Sequence, residues 1–183
     1  MQSKSELRQE IKRRKAACPA KERAALSHAV IRRLTQTPQW HHAHTVLLYH
    51  SLPDEVNTHD LIRQACAEGK RVLLPAVVDD DLELRELPQP SSLIPPSLHE
   101  GAFHILEPEG EAFTDYATID LAVIPGIAFT TDGRRLGRGR GYYDRLLPHF
   151  AHVYKLGLCW PFQLVDFLPT EPHDILLDAV ITS

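Results

Sequence analysis

Five short runs in this chain are apolar along most of their length and do not alternate with polar residues: "TVLLY" (45–49), "RVLLP" (71–75), "DLAVIP" (120–125), "HVYKLGLC" (152–159) and "DAVIT" (178–182). A strand with one face in water alternates, whereas a strand covered on both faces reads as continuous Val, Leu and Ile. Segments with helical spacing lie between the runs. That combination implies an α/β layer fold with a mostly parallel sheet flanked by helices, and at this length one domain is the default while two small ones are possible. A chain of 183 residues, 43% hydrophobic and 24% charged, buries such a core without staples.

The helical segments follow from their apolar phase. Residues 5–17 place Leu7 and Ile11 four apart under a basic outer face, and residues 20–35 place Leu26, Val30 and Leu34 on one side. Asn57 or Thr58 caps a helix that runs to about Glu68 and stops at Gly69. "LELREL" (82–87) alternates with period two and suits an edge strand or hairpin arm. Residues 88–100, with four Pro and three Ser, read as a loop, and a helix of about ten residues is expected from near Gly141.

Several function classes are disfavoured. With net charge −4 and pI near 6.2 the chain has no global attraction to nucleic acid or anionic membrane. Cys18, Cys66 and Cys159 form no C-x-x-C pair, which argues against a disulfide framework and fits a reducing cytoplasm. "MQSKSELRQEIKRRKAA" lacks the apolar centre of a secretory signal, and the longest apolar stretch, "LAVIPGIAF", is too short and too broken to span a membrane. No protein partner is indicated.

Against this acidic background, "RRLGRGRGYYDRLL" (134–147) concentrates five Arg and three Gly in fourteen positions. Glycine lets backbone N–H groups approach a ligand closely, and successive N–H groups make anion-binding concavities. Arginine adds donors matched to phosphate, and a following helix N-terminus would add partial positive charge. The segment follows an apolar strand, where α/β sheets bind ligands. It is neither a Walker A loop nor a G-x-G-x-x-G fingerprint, since position 142 is Tyr. Two other readings exist: a solvated surface turn, and an RNA-binding RG segment, which would need more repeats in a disordered setting.

Weaker candidates lie elsewhere. His41, His42 and His44 have metal-ligand chemistry but no acidic partner nearby, and suit a helix-to-strand linker better. Lys4 and Arg8 share a helix face, which by itself is most often a solvated face. Glu55 sits between a strand end and a helix cap, as a helix-start acid or as a ligand. Asp144 and Asp178 suit Mg²⁺, which takes carboxylate and phosphate oxygens, although each alone is more often structural.

The loop, together with "KSELRQEIKRRKAA", "YHSLPDEVNTHDLI", "KRVLLPAV" and "LCWPFQLVDFLPTEPHDILLDAVIT" in that order, resembles the 5-formyltetrahydrofolate cyclo-ligase family (5,10-methenyltetrahydrofolate synthetases) over essentially the whole chain. The resemblance implies a single three-layer α/β domain over residues 1–183 with a central, mostly parallel sheet flanked by helices, and an enzyme that uses ATP and Mg²⁺ to close 5-formyltetrahydrofolate into 5,10-methenyltetrahydrofolate, releasing ADP and phosphate. It implies ATP contacts at Lys4, Ser5, Glu6, Leu7 and Arg8, and at Arg135, Leu136, Gly137, Arg138, Gly139, Arg140, Gly141, Tyr142 and Tyr143. Folate contacts fall at His50, Glu55 and the Arg138–Tyr142 stretch, magnesium at Asp144 and Asp178, and catalytic charge at Lys4, Arg138 and Arg140. One departure stands out: the family commonly has Asp after "GIAF", where this chain has Thr130, so either the Thr130 hydroxyl or Asp132 must order the loop.

Overall fold

The structure, a computed structural model, describes residues 2–88, 98–100, 106–171 and 174–183. The strands in chain order are β1 (Thr45–Leu47), β2 (Arg71–Val78), β3 (Asp81–Glu86), β4 (Leu98–Glu100), β5 (Leu106–Pro108), β6 (Ala112–Phe113), β7 (Leu121–Ile124), β8 (Ala128–Phe129), β9 (Arg135–Leu136), β10 (Tyr154–Leu158) and β11 (Ala179–Ile181). The helices are α1 (Lys4–Ala17), α2 (Ala20–Thr35), α3 (Pro38–His42), α4 (His59–Ala67) and α5 (Tyr142–Leu146).

Among the described residues, seven strands form one sheet in the order β11-β10-β7-β1-β2-β3-β6. The five from β11 to β2 are parallel, and β3 and β6 are added antiparallel. The parallel strands are the apolar runs, and burial on both faces explains their composition. Val46, Val72, Val123 and Leu156 face one side, where they meet Val30 and Leu34 of α2, Trp40 of α3 and Leu61 of α4. Leu47, Leu73, Ala122 and Ile124 face the other side, against Leu146, Leu147 and Phe150. Helices thus cover both faces of a mostly parallel sheet, the three-layer arrangement expected.

"LELREL" is a hairpin arm, because β3 pairs with β2 across a two-residue turn in which Asp79 takes a left-handed φ of 53°. It is not an edge, since β6 lies on its far side. Two expectations change in the segment after β7. The Arg/Gly stretch does not follow the strand directly: β8 and β9 first form a small antiparallel hairpin, and Arg135 and Leu136 belong to it. The helix after Gly141 is five residues, not ten, and gives way to a 3-10 turn over Leu147–His149. Pro148 accounts for the change, because it has no N–H to continue an α-helix. The 88–100 loop falls largely outside the described residues, apart from Leu98–Glu100, which pairs with β5.

Helix α1 begins with a capping box: Ser3 N donates to Glu6 Oε2 (2.7 Å), and Glu6 N donates to Ser3 Oγ (3.2 Å). Its apolar stripe, Leu7 and Ile11, packs with Ala128, Leu136 and Leu168, and so binds α1 to the hairpin that carries the Arg/Gly loop. Thr58 caps α4 by position only. Its hydroxyl donates to the Tyr49 carbonyl, while Ser51 N donates to that hydroxyl (3.1 Å). This pair ties the β1 end to the α4 start and fixes the course of the intervening 50–57 segment.

Candidate active site

The carboxyl ends of β1 and β7 open onto a cavity of about 360 Å³, in the range of small-molecule clefts. The segment after β1 contributes Tyr49, His50 and Glu55, β7 leads into Pro125 and Gly126, and residues 135 and 137–144 close the other wall.

Gly139 and Gly141 take φ of 96° and 73°, a region that side chains resist. The chain turns there, and residues 137–141 all line the cavity. The α5 helix that follows is too short to supply a macrodipole, so the positive charge at this wall comes from the side chains of Arg135, Arg138 and Arg140.

Two arginines divide the work of the loop. Arg135 is buried: Nη2 donates to Asp144 Oδ1 (2.6 Å), Nη1 donates to the Pro125 carbonyl (3.3 Å), and its guanidinium lies 5.6 Å from the centre of the Tyr143 ring. Burial pulls this guanidinium below its ordinary range, against the charge of Asp144. Arg138 reaches across the cleft. Its Nη2 lies 2.6 Å from Asp54 Oδ1 and 2.9 Å from Glu55 Oε1, and its Nε lies 3.2 Å from the same Glu55 oxygen. Burial opposes its charge, but the hydrogen bond to Asp54 and the charge of Glu55 outweigh that and raise its pKa.

Asp54 is held from behind. Lys15 Nζ donates to its carbonyl (2.7 Å) and to Oδ2 (3.2 Å), and burial lowers the lysine's pKa although Asp54 opposes the shift. Tyr49 and Tyr143 add ring surface, and burial, reinforced by Glu55, pushes both hydroxyls well up. His50 stacks on His59 with ring centres 3.9 Å apart. Burial, with the His59 charge, lowers His50 to about 4, so it is neutral at pH 7.

The structure brings together His50, Glu55, Arg135, Gly137, Arg138, Gly139, Arg140, Gly141, Tyr142, Tyr143 and Asp144 around one cavity. Leu136 is not on the cavity wall: it is a core residue beneath the loop. The 4–8 segment divides. Arg8 Nε donates to the Gly137 carbonyl (2.9 Å), beside the loop. Lys4 is taken by Glu171 (3.0 Å) and Asp174 (3.3 Å), Glu6 completes the helix cap, Leu7 is core and Ser5 is exposed. Asp178 is not brought to Asp144. It does not line the cavity, and its carboxylate accepts from Lys155 N (2.7 Å) and pairs with Lys155 Nζ (3.1 Å). His41 and His42 end α3 in solvent, and among the described residues no three His, Cys, Asp or Glu side chains converge as a metal site.

Thr130 orders its turn as a hydroxyl and with Asp132 together: Arg134 N donates to Thr130 Oγ1 (3.0 Å), which in turn donates to Asp132. Sequence reasoning missed Asp54 and Lys15. Lys15 carried a signal, since it continues the Leu7 and Ile11 stripe at the next i+4 step, where an apolar residue belongs.

Sheet, cleft and loop define a class: an α/β fold with an arginine- and glycine-rich loop walling a cleft at the carboxyl ends of its parallel strands. A sequence model of the 5-formyltetrahydrofolate cyclo-ligase family matches residues 1–183, and the chain belongs to that family of ligases. It is 35% identical over 179 residues to the 5-formyltetrahydrofolate cyclo-ligase of Escherichia coli K12, covering 93% of this chain and 94% of that one. The NMR structure of Aquifex aeolicus 5,10-methenyltetrahydrofolate synthetase matches with a TM-score of 0.84 at 34% identity, over 98% of this chain and 89% of the other. The Mycoplasma pneumoniae 5,10-methenyltetrahydrofolate synthetase matches with a TM-score of 0.76 at 26% identity, over 99% of each chain.

Proposed function

We propose that this chain uses ATP to cyclise 5-formyltetrahydrofolate to 5,10-methenyltetrahydrofolate, with ADP and phosphate as the other products, and that residues 1–183 act as one domain. The observation that carries the reading is the meeting of Glu55 and Arg138 across one cavity, a carboxylate suited to the N–H edge of a pterin beside an arginine suited to a phosphate.

A formamide is a poor electrophile because its oxygen leaves badly. In this reading the formyl oxygen attacks the γ-phosphorus of ATP, and ADP departs. The neighbouring folate nitrogen then attacks the activated carbon, and phosphate leaves with the former formyl oxygen. The first step asks the protein chiefly to position groups and offset charge. Arg138 and Arg140 offer that charge from the cavity wall, and Tyr49 and Tyr143 wall the ring site. Arg8 holds the loop from the α1 side, and Lys4 sits on the same helix facing Glu171 and Asp174.

Asp144 is the carboxylate that would hold Mg²⁺: it lines the cavity, its side chain is 38% exposed, and one or two carboxylates plus phosphate oxygens suit that ion. Bound there, Mg²⁺ would supply charge neutralisation of the transferring phosphate. Asp178, engaged by Lys155, has no part in it. The free cysteines fit work in the cytoplasm, and among the described residues no helix is long and apolar enough to cross a membrane.

The test is direct. Purified protein with Mg·ATP and 5-formyltetrahydrofolate should build methenyltetrahydrofolate absorbance, with one ADP per product. Product without ADP, or none from folded protein, would remove the reading.

A further inference from the structure

In this structure Glu55 cannot offer both of its oxygens to a ligand. Its Oε2 accepts from Leu52 N (3.0 Å), and both Nε (3.2 Å) and Nη2 (2.9 Å) of Arg138 converge on Oε1. The Glu55 side chain is 11% exposed, so water does little to relieve this crowding. A carboxylate oxygen has two lone pairs, and two guanidinium donors fill those of Oε1. A pterin edge with two adjacent N–H donors needs both oxygens of one carboxylate. It cannot dock on Glu55 while Arg138 stays where it is.

Arg138 has a second anchor. Asp54 Oδ1 accepts from Nη2 at 2.6 Å, and Asp54 is pinned through its carbonyl and Oδ2 by Lys15, itself nearly buried. An arginine displaced from Glu55 therefore turns on Asp54 and stays at the cavity wall. Facing two carboxylates, its charge is largely answered. Facing one, its Nε–H edge and part of its charge become available to an incoming phosphate.

We infer that Arg138 is an exchangeable latch: the pterin displaces it from Glu55, Asp54 retains it as a positioning residue, and folate and ATP consequently bind with positive coupling. The inference rests on the folate and ATP reading above. It adds that each ligand raises the affinity for the other, by an equal factor in both directions.

The experiment is calorimetric titration of the full chain with Mg²⁺ and a non-hydrolysable ATP analogue, with and without saturating 5-formyltetrahydrofolate. In the parent protein, folate should tighten analogue binding by about 5–150-fold, and the analogue should tighten folate binding by the same factor. Glu55→Gln should already bind the analogue tightly without folate, with a coupling factor near one. Asp54→Asn should keep the coupling but lose turnover at saturating ligands, by up to about a hundredfold, because the displaced arginine is no longer held in place. Equal analogue affinity with and without folate in the parent overturns the latch, as does an undiminished factor in Glu55→Gln. Product formation without coupling leaves the functional reading standing and removes the latch. Coupling without product does the reverse, and folded protein that binds neither ligand removes both.

Discussion

Arg135 and Arg138 leave the same loop three positions apart, and each holds carboxylates, yet they are opposite kinds of residue. The Arg135 side chain is 6% exposed and tied to Asp144, the Pro125 carbonyl and the Tyr143 ring. The Arg138 side chain is 42% exposed and lies across the cleft on Asp54 and Glu55. A buried guanidinium cannot give up its partner without leaving charge in a poor solvent, so Arg135 is scaffold. A half-exposed one exchanges partners at little cost, so Arg138 can be a tool. Residue type does not separate the two roles, and burial does.

Substitution should split the pair. Arg138→Ala should lower kcat about a hundred- to a thousandfold, equivalent to about 2.7–4 kcal/mol, as removal of a transition-state donor does. Its urea midpoint should move less than that of Arg135→Met, since Arg138 and Asp54 are half-exposed, although Glu55, 11% exposed, loses a partner. Unchanged turnover would collapse the contrast. Arg135→Met should do the opposite and cost about 3 kcal/mol in urea unfolding, the lower part of the range for breaking a buried pair, because Asp144 still meets water. A fully stable Arg135→Met protein with lost turnover would show that both arginines are tools.

A smaller effect tests the turn beneath them. Thr130→Val keeps the shape but removes the acceptor for Arg134 N, which should cost about 1–3 kcal/mol. Asp132→Asn should cost less, because Asp132 is exposed. Equal losses would assign the ordering to the carboxylate. The smallest effect is in pH. His50 is held at about 4, against an ordinary value of 6.5. Below 6.5 the unfolded chain takes up a proton that the folded chain refuses, so stability should fall as pH drops from 6.5 toward about 4. Above 6.5 this contribution is constant. His50→Gln should flatten part of that slope. An unaltered slope would locate the titration elsewhere.

The sheet was legible because double-sided burial leaves its mark along β1, β7 and the Val72–Leu74 centre of β2, and helix phase did the same for α1 and α2. The β8–β9 hairpin was not, since two-residue strands carry no period, and α5 was overcalled because Pro148 limits it. At the site, the glycines and arginines marked out the loop that walls the cavity, but nothing in the sequence distinguished Arg135 from Arg138. That difference depends on which segments lie beside them. Asp54 was hidden beside Glu55, and the partners of Lys4 and Asp178 are set by contacts that no local pattern encodes.

The seating of α1 has a consequence for how the protein is made. Lys4 finds Glu171 and Asp174, which lie 167 and 170 residues further along the chain. At about 5–20 residues per second a ribosome delivers those partners roughly 8–33 s after Lys4. Leu7 and Ile11 wait for Ala128 and Leu136 for about three quarters of that interval, and for Leu168 for nearly all of it. During elongation α1 therefore carries an unsealed apolar stripe, and Arg8 has no Arg/Gly loop to hold. A nascent chain arrested before residue 128 leaves Leu7 and Ile11 without the hairpin residues they pack on, a state open to adhesion during translation.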